Sequence, residues 1–86
     1  MSVPLDHSPP AARPALSPRE MQVLLAWLRS DSKQEAAREL YVSVATVSTH
    51  IAHIRAKYAV AGRSATTKAA LFARAVQDEF IDVYEW

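Results

Sequence analysis

The sequence predicts an all-α fold, a four-helix domain behind a disordered N-terminal tail. Half of the 86 residues are hydrophobic and only one is glycine, and many are alanine, which loses no side-chain entropy in a helix. Apolar residues recur at intervals of three and four, the period of a helix with one buried side. Helix-starting residue patterns precede two of these apolar stretches.

The chain is expected to form one domain, which we place at residues 16–80. Residues 1–15 hold four of the five prolines and read as a flexible tail or linker, and residues 81–86 form an acidic tail. No apolar stretch approaches the roughly 20 residues that span a bilayer, and no signal pattern opens the chain. We therefore expect a cytoplasmic protein without a membrane partner.

The first helix is predicted to begin at a capping box and to end near Arg29. Ser17 and Glu20 have the spacing for reciprocal hydrogen bonds, with Pro18 at the first helical position. An apolar stripe follows, formed by Met21, Leu24, Leu25 and Leu28. Trp27 is either a core residue or a surface aromatic, and we favour the core.

Three more helices are predicted after it. Ser32 and Glu35 repeat the capping-box spacing and open a helix to about Leu40. A third helix, with Ser43 as its N-cap, runs to about Tyr58. Its expected buried stripe is Val44, Val47, Ile51, Ile54 and Tyr58.

The fourth helix is predicted from about Thr66 to Phe80, after a connection that contains Gly62. Two sets of apolar residues compete for its inner side. We expect Phe72, Val76 and Phe80 in the core, and Leu71 and Ala75 at a dimer contact.

Charge is distributed unevenly along the chain, although its net value is only +1. Residues 41–77 contain five Lys or Arg residues and no acid, whereas residues 78–86 contain four acids and no base. Such a segregated positive stretch suits a polyanionic partner; the alternative is a chance cluster on a solvated surface. The acidic end is either a solvated tail, which we favour, or an internal competitor for the basic side.

The outer side of the third helix carries small, hydroxyl-bearing or basic residues and no acid. Small side chains allow close approach to DNA, and hydroxyl or basic groups donate to phosphates and base edges. A short helix, a turn and such a second helix match the helix-turn-helix plan. The residues concerned are Ala45, Thr46, Ser48, Thr49, His50, Ala52, His53, Arg55, Ala56 and Lys57.

The chain resembles the LuxR/NarL-type helix-turn-helix family over about residues 16–80. The most specific part is the run Val-Ser-Val-Ala-Thr-Val-Ser-Thr-His at residues 42–50. Other matching positions are Leu16, Arg19, Glu20, Lys33, Glu35, Ala37, Leu40, Ile54, Lys57 and Val60. The resemblance implies the C-terminal domain of a bacterial response regulator or similar protein, which binds DNA as a dimer that often pairs through its last helix.

The resemblance also implies site residues. It implies base contacts from Ser48 and His50, and phosphate contacts from Thr46, Thr49 and Lys57. From the residue types and positions we add Ala45 and His53 as base contacts, and Ser43, Arg55 and Arg63 as phosphate contacts.

This chain departs from the family pattern in its turn and in its recognition helix. Position 48 is often lysine in the family and is serine here, which reduces the charge available for base reading. Position 41 is commonly glycine and is tyrosine here, so a left-handed turn would be strained. The connection at residues 61–66 is a few residues longer than usual.

Other kinds of site have little support in the sequence. His50 and His53 are three residues apart, but the chain has no cysteine and no nearby carboxylate to complete a metal site. No carboxylate is placed to orient a histidine for catalysis, and one glycine cannot form a phosphate-binding loop. We expect no cofactor, no metal and no enzyme activity.

The sequence thus predicts a DNA-binding transcription regulator that works as a homodimer. The alternative is a helical module that docks on a protein such as RNA polymerase, because an acid-free helix also suits an acidic protein surface. The chain is either an excised C-terminal domain or a free-standing small regulator.

Overall fold

A computed structural model describes residues 14–84 and 86, and it confirms the all-α class. Its helices are α1 (Pro18–Arg29), α2 (Lys33–Leu40), α3 (Val44–Val60) and α4 (Lys68–Gln77), and the described residues form no strand. The predicted N-terminal tail lies outside the described residues, apart from its last two. No helix in the described part is long and apolar enough to cross a bilayer.

Side-chain caps start all four helices, as their sequences predict for the first three. At α1 the Glu20 amide donates to Ser17 Oγ at 3.0 Å, and the Ser17 amide donates to Glu20 Oε1 at 2.8 Å. At α2 only half of the box forms, because Glu35 Oε1 accepts from the Asp31 amide instead. Ser43 caps α3 and Thr67 caps α4, so α4 begins two residues later than predicted.

The core lies where α1, α2 and α3 meet. In α1 the predicted stripe is largely wrong, because only Leu24 of it is fully buried, beside the unpredicted Val23 and Ala26. Met21, Leu25 and Leu28 are half-buried.

Val47, Ile51, Ile54 and Tyr58 are fully buried, which confirms most of the α3 stripe. Val44 is 36% exposed and was wrongly assigned to that stripe. It is the first residue of α3 and borders an open depression beside α2, where nothing covers it fully.

Two core assignments remain, those of Trp27 and of the fourth helix. Trp27 is only 6% exposed and belongs to the core, as favoured. In α4 the dimer assignment is wrong, because Leu71 and Ala75 are fully buried. The predicted core residues Phe72, Val76 and Phe80 are half-buried and pack against the core. The stripe of Leu71 and Ala75 and the stripe of Phe72 and Val76 are about 100° apart on the helix. Because both are apolar, the sequence alone does not show which one faces the core. Leu71 and Ala75 therefore cannot form a dimer contact.

Three helices end in a residue with left-handed backbone geometry. Tyr41, Gly62 and Glu79 have φ values of 58°, 76° and 65°. After each of them the next amide donates to the carbonyl five residues back, as Val42 does to Ala37 at 3.0 Å, which is the Schellman arrangement. Glycine adopts this geometry freely, whereas other residues lose about 1 kcal/mol or more. The strain foreseen at Tyr41 is therefore present.

Replacing Gly62 by alanine should lower the free energy of unfolding by about 1 kcal/mol. A Cβ atom at Gly62 would meet no atom within 4 Å, so the cost is conformational and not steric. The matched variant Glu79→Gly should shift stability in the opposite direction, because it relieves the same strain at the end of α4. Urea denaturation of both variants checks this, and equal signs for the two would contradict it.

Candidate nucleic-acid interface

The side of α3 that faces away from the core is slim. Its exposed residues in the first four turns include Ala45, Thr49, Ala52, His53 and Ala56, and α3 contains no acid. They lie opposite the buried stripe because both sets follow the helical period. A narrow ridge of alanine, threonine and histidine can approach another surface closely.

Half-buried residues line both flanks of this ridge. Ser48 and Arg55 lie on one flank, and Thr46, His50 and Lys57 lie on the other. The Nδ1 atom of His50 is buried and has no hydrogen-bond partner within the described residues. The predicted base and phosphate contacts on α3 thus lie on the exposed ridge and on both of its flanks.

Ser43 and Thr46 sit at the N-terminal end of the ridge. Ser43 Oγ accepts from the Thr46 amide at 3.0 Å, and it lies 3.0 Å from Thr46 Oγ1. Both hydroxyls thus help to start the helix. The cap holds them beside the outer side of its first turn, where a phosphate contact would be made.

Lys57 forms an intramolecular ion pair that the sequence did not reveal. Its Nζ lies 2.6 Å from Glu20 Oε1 in α1 and donates to the Ala15 carbonyl at 3.0 Å. The hydrogen bond from Lys57 lowers the pKa of Glu20, aided by the Ser17 amide. Helix α3 itself has no acid, but Glu20 compensates the charge of Lys57, so the flank that carries Lys57 is less positive than the sequence indicates.

Acidification should weaken the fold through Glu20. Its pKa in the folded state lies below the ordinary value of 4.5, so this contribution is complete above that pH and is lost as pH falls through the folded value. The stability difference between wild type and Glu20→Gln should be constant at pH 6 to 8 and should shrink below about pH 4.5. Urea titrations at each pH measure it, and an unchanged difference at pH 3 would contradict the assignment.

Arg55 and Lys68 lie against the buried indole of Trp27. The Arg55 guanidinium carbon and Lys68 Nζ are each 5.4 Å from the ring centre, within range of cation–π attraction. Lys68 also donates to the Ser30 carbonyl. Arg55 Nε is buried and has no hydrogen-bond partner among the described residues. Trp27 thus orients a cation on the flank of α3.

Arg63 lies in the junction between α3 and α4, which does not fit the predicted phosphate contact. Its Nη2 is 2.7 Å from Asp78 Oδ1, and the two side chains are only 13% and 0% exposed. Tyr58 donates its hydroxyl to Asp78 Oδ2 at 2.7 Å, and the Arg63 guanidinium lies over the Tyr58 ring. The sequence did not bring these three together because they are up to 20 residues apart.

The acidic end is only partly a solvated tail. Asp78 is buried in that junction, and Ile81 is 5% exposed. Trp86 lies edge-on to Phe72 of α4 at 6.1 Å and beneath Arg29 of α1 at 5.3 Å. These contacts hold the end of the chain against α1 and α4, not across the ridge of α3.

The described residues contain no group of three His, Asp or Glu side chains that could hold a metal ion. His50 and His53 are both on α3, but His53 lies on the exposed ridge and His50 on its half-buried flank.

Comparison with known families gives a match. The model of the family described as bacterial regulatory proteins, luxR family (GerE) matches residues 14–70, well over half of the chain. The matched segment contains α1, α2, all of α3 and the start of α4. No curated protein and no solved structure matches the chain.

Proposed function

The chain belongs to the luxR family of bacterial regulatory proteins, and from this premise we propose that α3 is the recognition helix of a transcription regulator and enters the major groove of DNA. Membership identifies a DNA-binding helix-turn-helix regulatory domain. The exposed ridge of α3 carries the finer proposal, because it has no acid and no side chain larger than histidine. Such a surface fits between phosphate-lined groove edges.

The proposed contacts divide by position on α3. Ala45 and His53 on the ridge face the base edges, and Ser48 and His50 reach them from the two opposite flanks. Alanine can meet a thymine methyl, and histidine can donate a hydrogen bond. Ser43, Thr46, Thr49 and Arg55 face phosphates. Lys57 reaches a phosphate only in competition with Glu20, since its Nζ already lies 2.6 Å from that carboxylate.

We also propose that residues 16–80 act as a dimer through α4. With Leu71 and Ala75 buried, the contact moves to the outer side of that helix, where Ala69 and Ala73 are exposed and Val76 is half-buried. Two recognition helices would then read half-sites about one helical turn apart.

A titration of labelled random-sequence duplex at low salt, followed by fluorescence anisotropy, tests the proposal. Binding should weaken steeply as salt rises, because phosphate contacts release counterions. Selection of bound oligonucleotides from a random pool should then yield a preferred site. Absence of binding at low salt would refute the proposal and favour docking on a protein such as RNA polymerase, which the same acid-free ridge could serve.

A further inference from the structure

Tyr41 holds a strained conformation in the turn between α2 and α3. Its φ and ψ are 58° and 44°, a left-handed geometry that a residue with a Cβ adopts at a cost. The side chain is 95% exposed, so packing within the chain does not offset that cost. A contact with another molecule can offset it.

Strain alone does not identify a contact, since Glu79 has the same geometry at the end of α4. The location of Tyr41 is what sets it apart. It borders a shallow depression together with Arg38 of α2 and with Ser43 and Val44, where α3 begins. The exposed phenol therefore stands beside the end of the helix that is proposed to enter the groove.

We propose that Tyr41 donates its hydroxyl to a phosphate on the groove edge next to the start of α3. This inference rests on the proposed function, which places DNA against that end of α3. Tyrosine hydroxyls are among the groups that bind phosphate oxygens and fix the register of a protein on the duplex. Arg38, which is exposed on the same depression, gives this place the positive charge that a phosphate needs.

The decisive variant is Tyr41→Phe, which keeps the ring and the backbone strain but removes the hydroxyl. Its affinity should fall about tenfold for the selected site and for random duplex alike, because a hydrogen bond to a charged acceptor is lost without loss of base reading. The dependence of affinity on salt should keep its slope, since tyrosine carries no charge. Unchanged affinity would overturn the proposal, and a loss confined to the selected site would show base reading instead.

A pair of glycine variants separates the contact from the strain. Tyr41→Gly and Glu79→Gly both relieve a left-handed residue, so both should raise the melting temperature. Only Tyr41→Gly should also weaken DNA binding. Tyr41→Gly that binds DNA as tightly as wild type would overturn the contact.

The same titrations distinguish failure of the proposed function from failure of the Tyr41 contact. If wild type fails to bind duplex at low salt, the proposed function fails and the Tyr41 contact fails with it. If wild type binds but Tyr41→Phe binds equally well, the proposed function stands and the Tyr41 contact alone is refuted.

Discussion

Replacing Asp78 by asparagine is expected to destabilise the domain by about 3 kcal/mol, since it removes one partner of a buried ion pair. The Asp78 side chain is fully buried, it accepts from the Tyr58 hydroxyl, and it pairs with Arg63 at 2.7 Å. The variant leaves the Arg63 guanidinium, only 13% exposed, without its counter-charge. The free energy of unfolding of a small domain is about 5–15 kcal/mol in total, so a large fraction of it would be lost.

Urea denaturation measures this loss, and Asp82→Asn is its matched control. Asp82 is exposed and undergoes the same chemical change, so its effect should stay within about 0.5 kcal/mol. A double-mutant cycle with Arg63→Met isolates the coupling between the two side chains. Equal effects of the two Asp variants, or no coupling in the cycle, would show that the ion pair does not stabilise the fold.

Replacing Ala52 by glutamate is expected to weaken DNA binding by at least about 100-fold. Ala52 is exposed in the middle of the α3 ridge, and a carboxylate there would face the phosphates at a cost of several kcal/mol. Alanine and glutamate are both good helix formers. The helix content and the melting temperature should therefore stay close to those of wild type.

The control for this variant is Gln22→Glu, which makes the same change in net charge on the exposed side of α1. Anisotropy titrations at one salt concentration compare the two variants. Gln22→Glu should change affinity by less than about threefold, because screening weakens charges that lie beyond a Debye length of about 10 Å. Equal losses of affinity would mean that net charge governs binding. No loss of affinity for Ala52→Glu would show that the ridge does not contact DNA.

Local signals in the sequence were sufficient for the start of α1 and for most of α3, but not for the buried side of α1. The Ser17–Glu20 box needs only residues three apart, and the stripe from Val47 to Tyr58 repeats with the helical period. Both features are encoded by near neighbours. The structure therefore confirms them with small changes at the helix ends.

Contacts between distant residues were not predictable in the same way. The partner of Lys57 is Glu20, 37 residues earlier, and the residues 58, 63 and 78 meet only once α4 has docked. The inner side of α4 was misjudged for the same reason, since two apolar stripes compete and only tertiary packing selects one. The candidate site on α3 follows from its local pattern, but the charge of that site depends on α1.

The buried carboxylate of Asp78 has a mechanical consequence. It closes α4 and at the same time holds Tyr58, in the last turns of α3, together with Arg63 just beyond it. The C-terminal ends of α3 and α4 are thus held at one buried carboxylate. In a symmetric dimer that pairs through α4, the distance between the two recognition helices would be set by this contact inside each monomer. A substitution at Asp78 would then change which half-site spacing is accepted, without altering a residue that faces DNA.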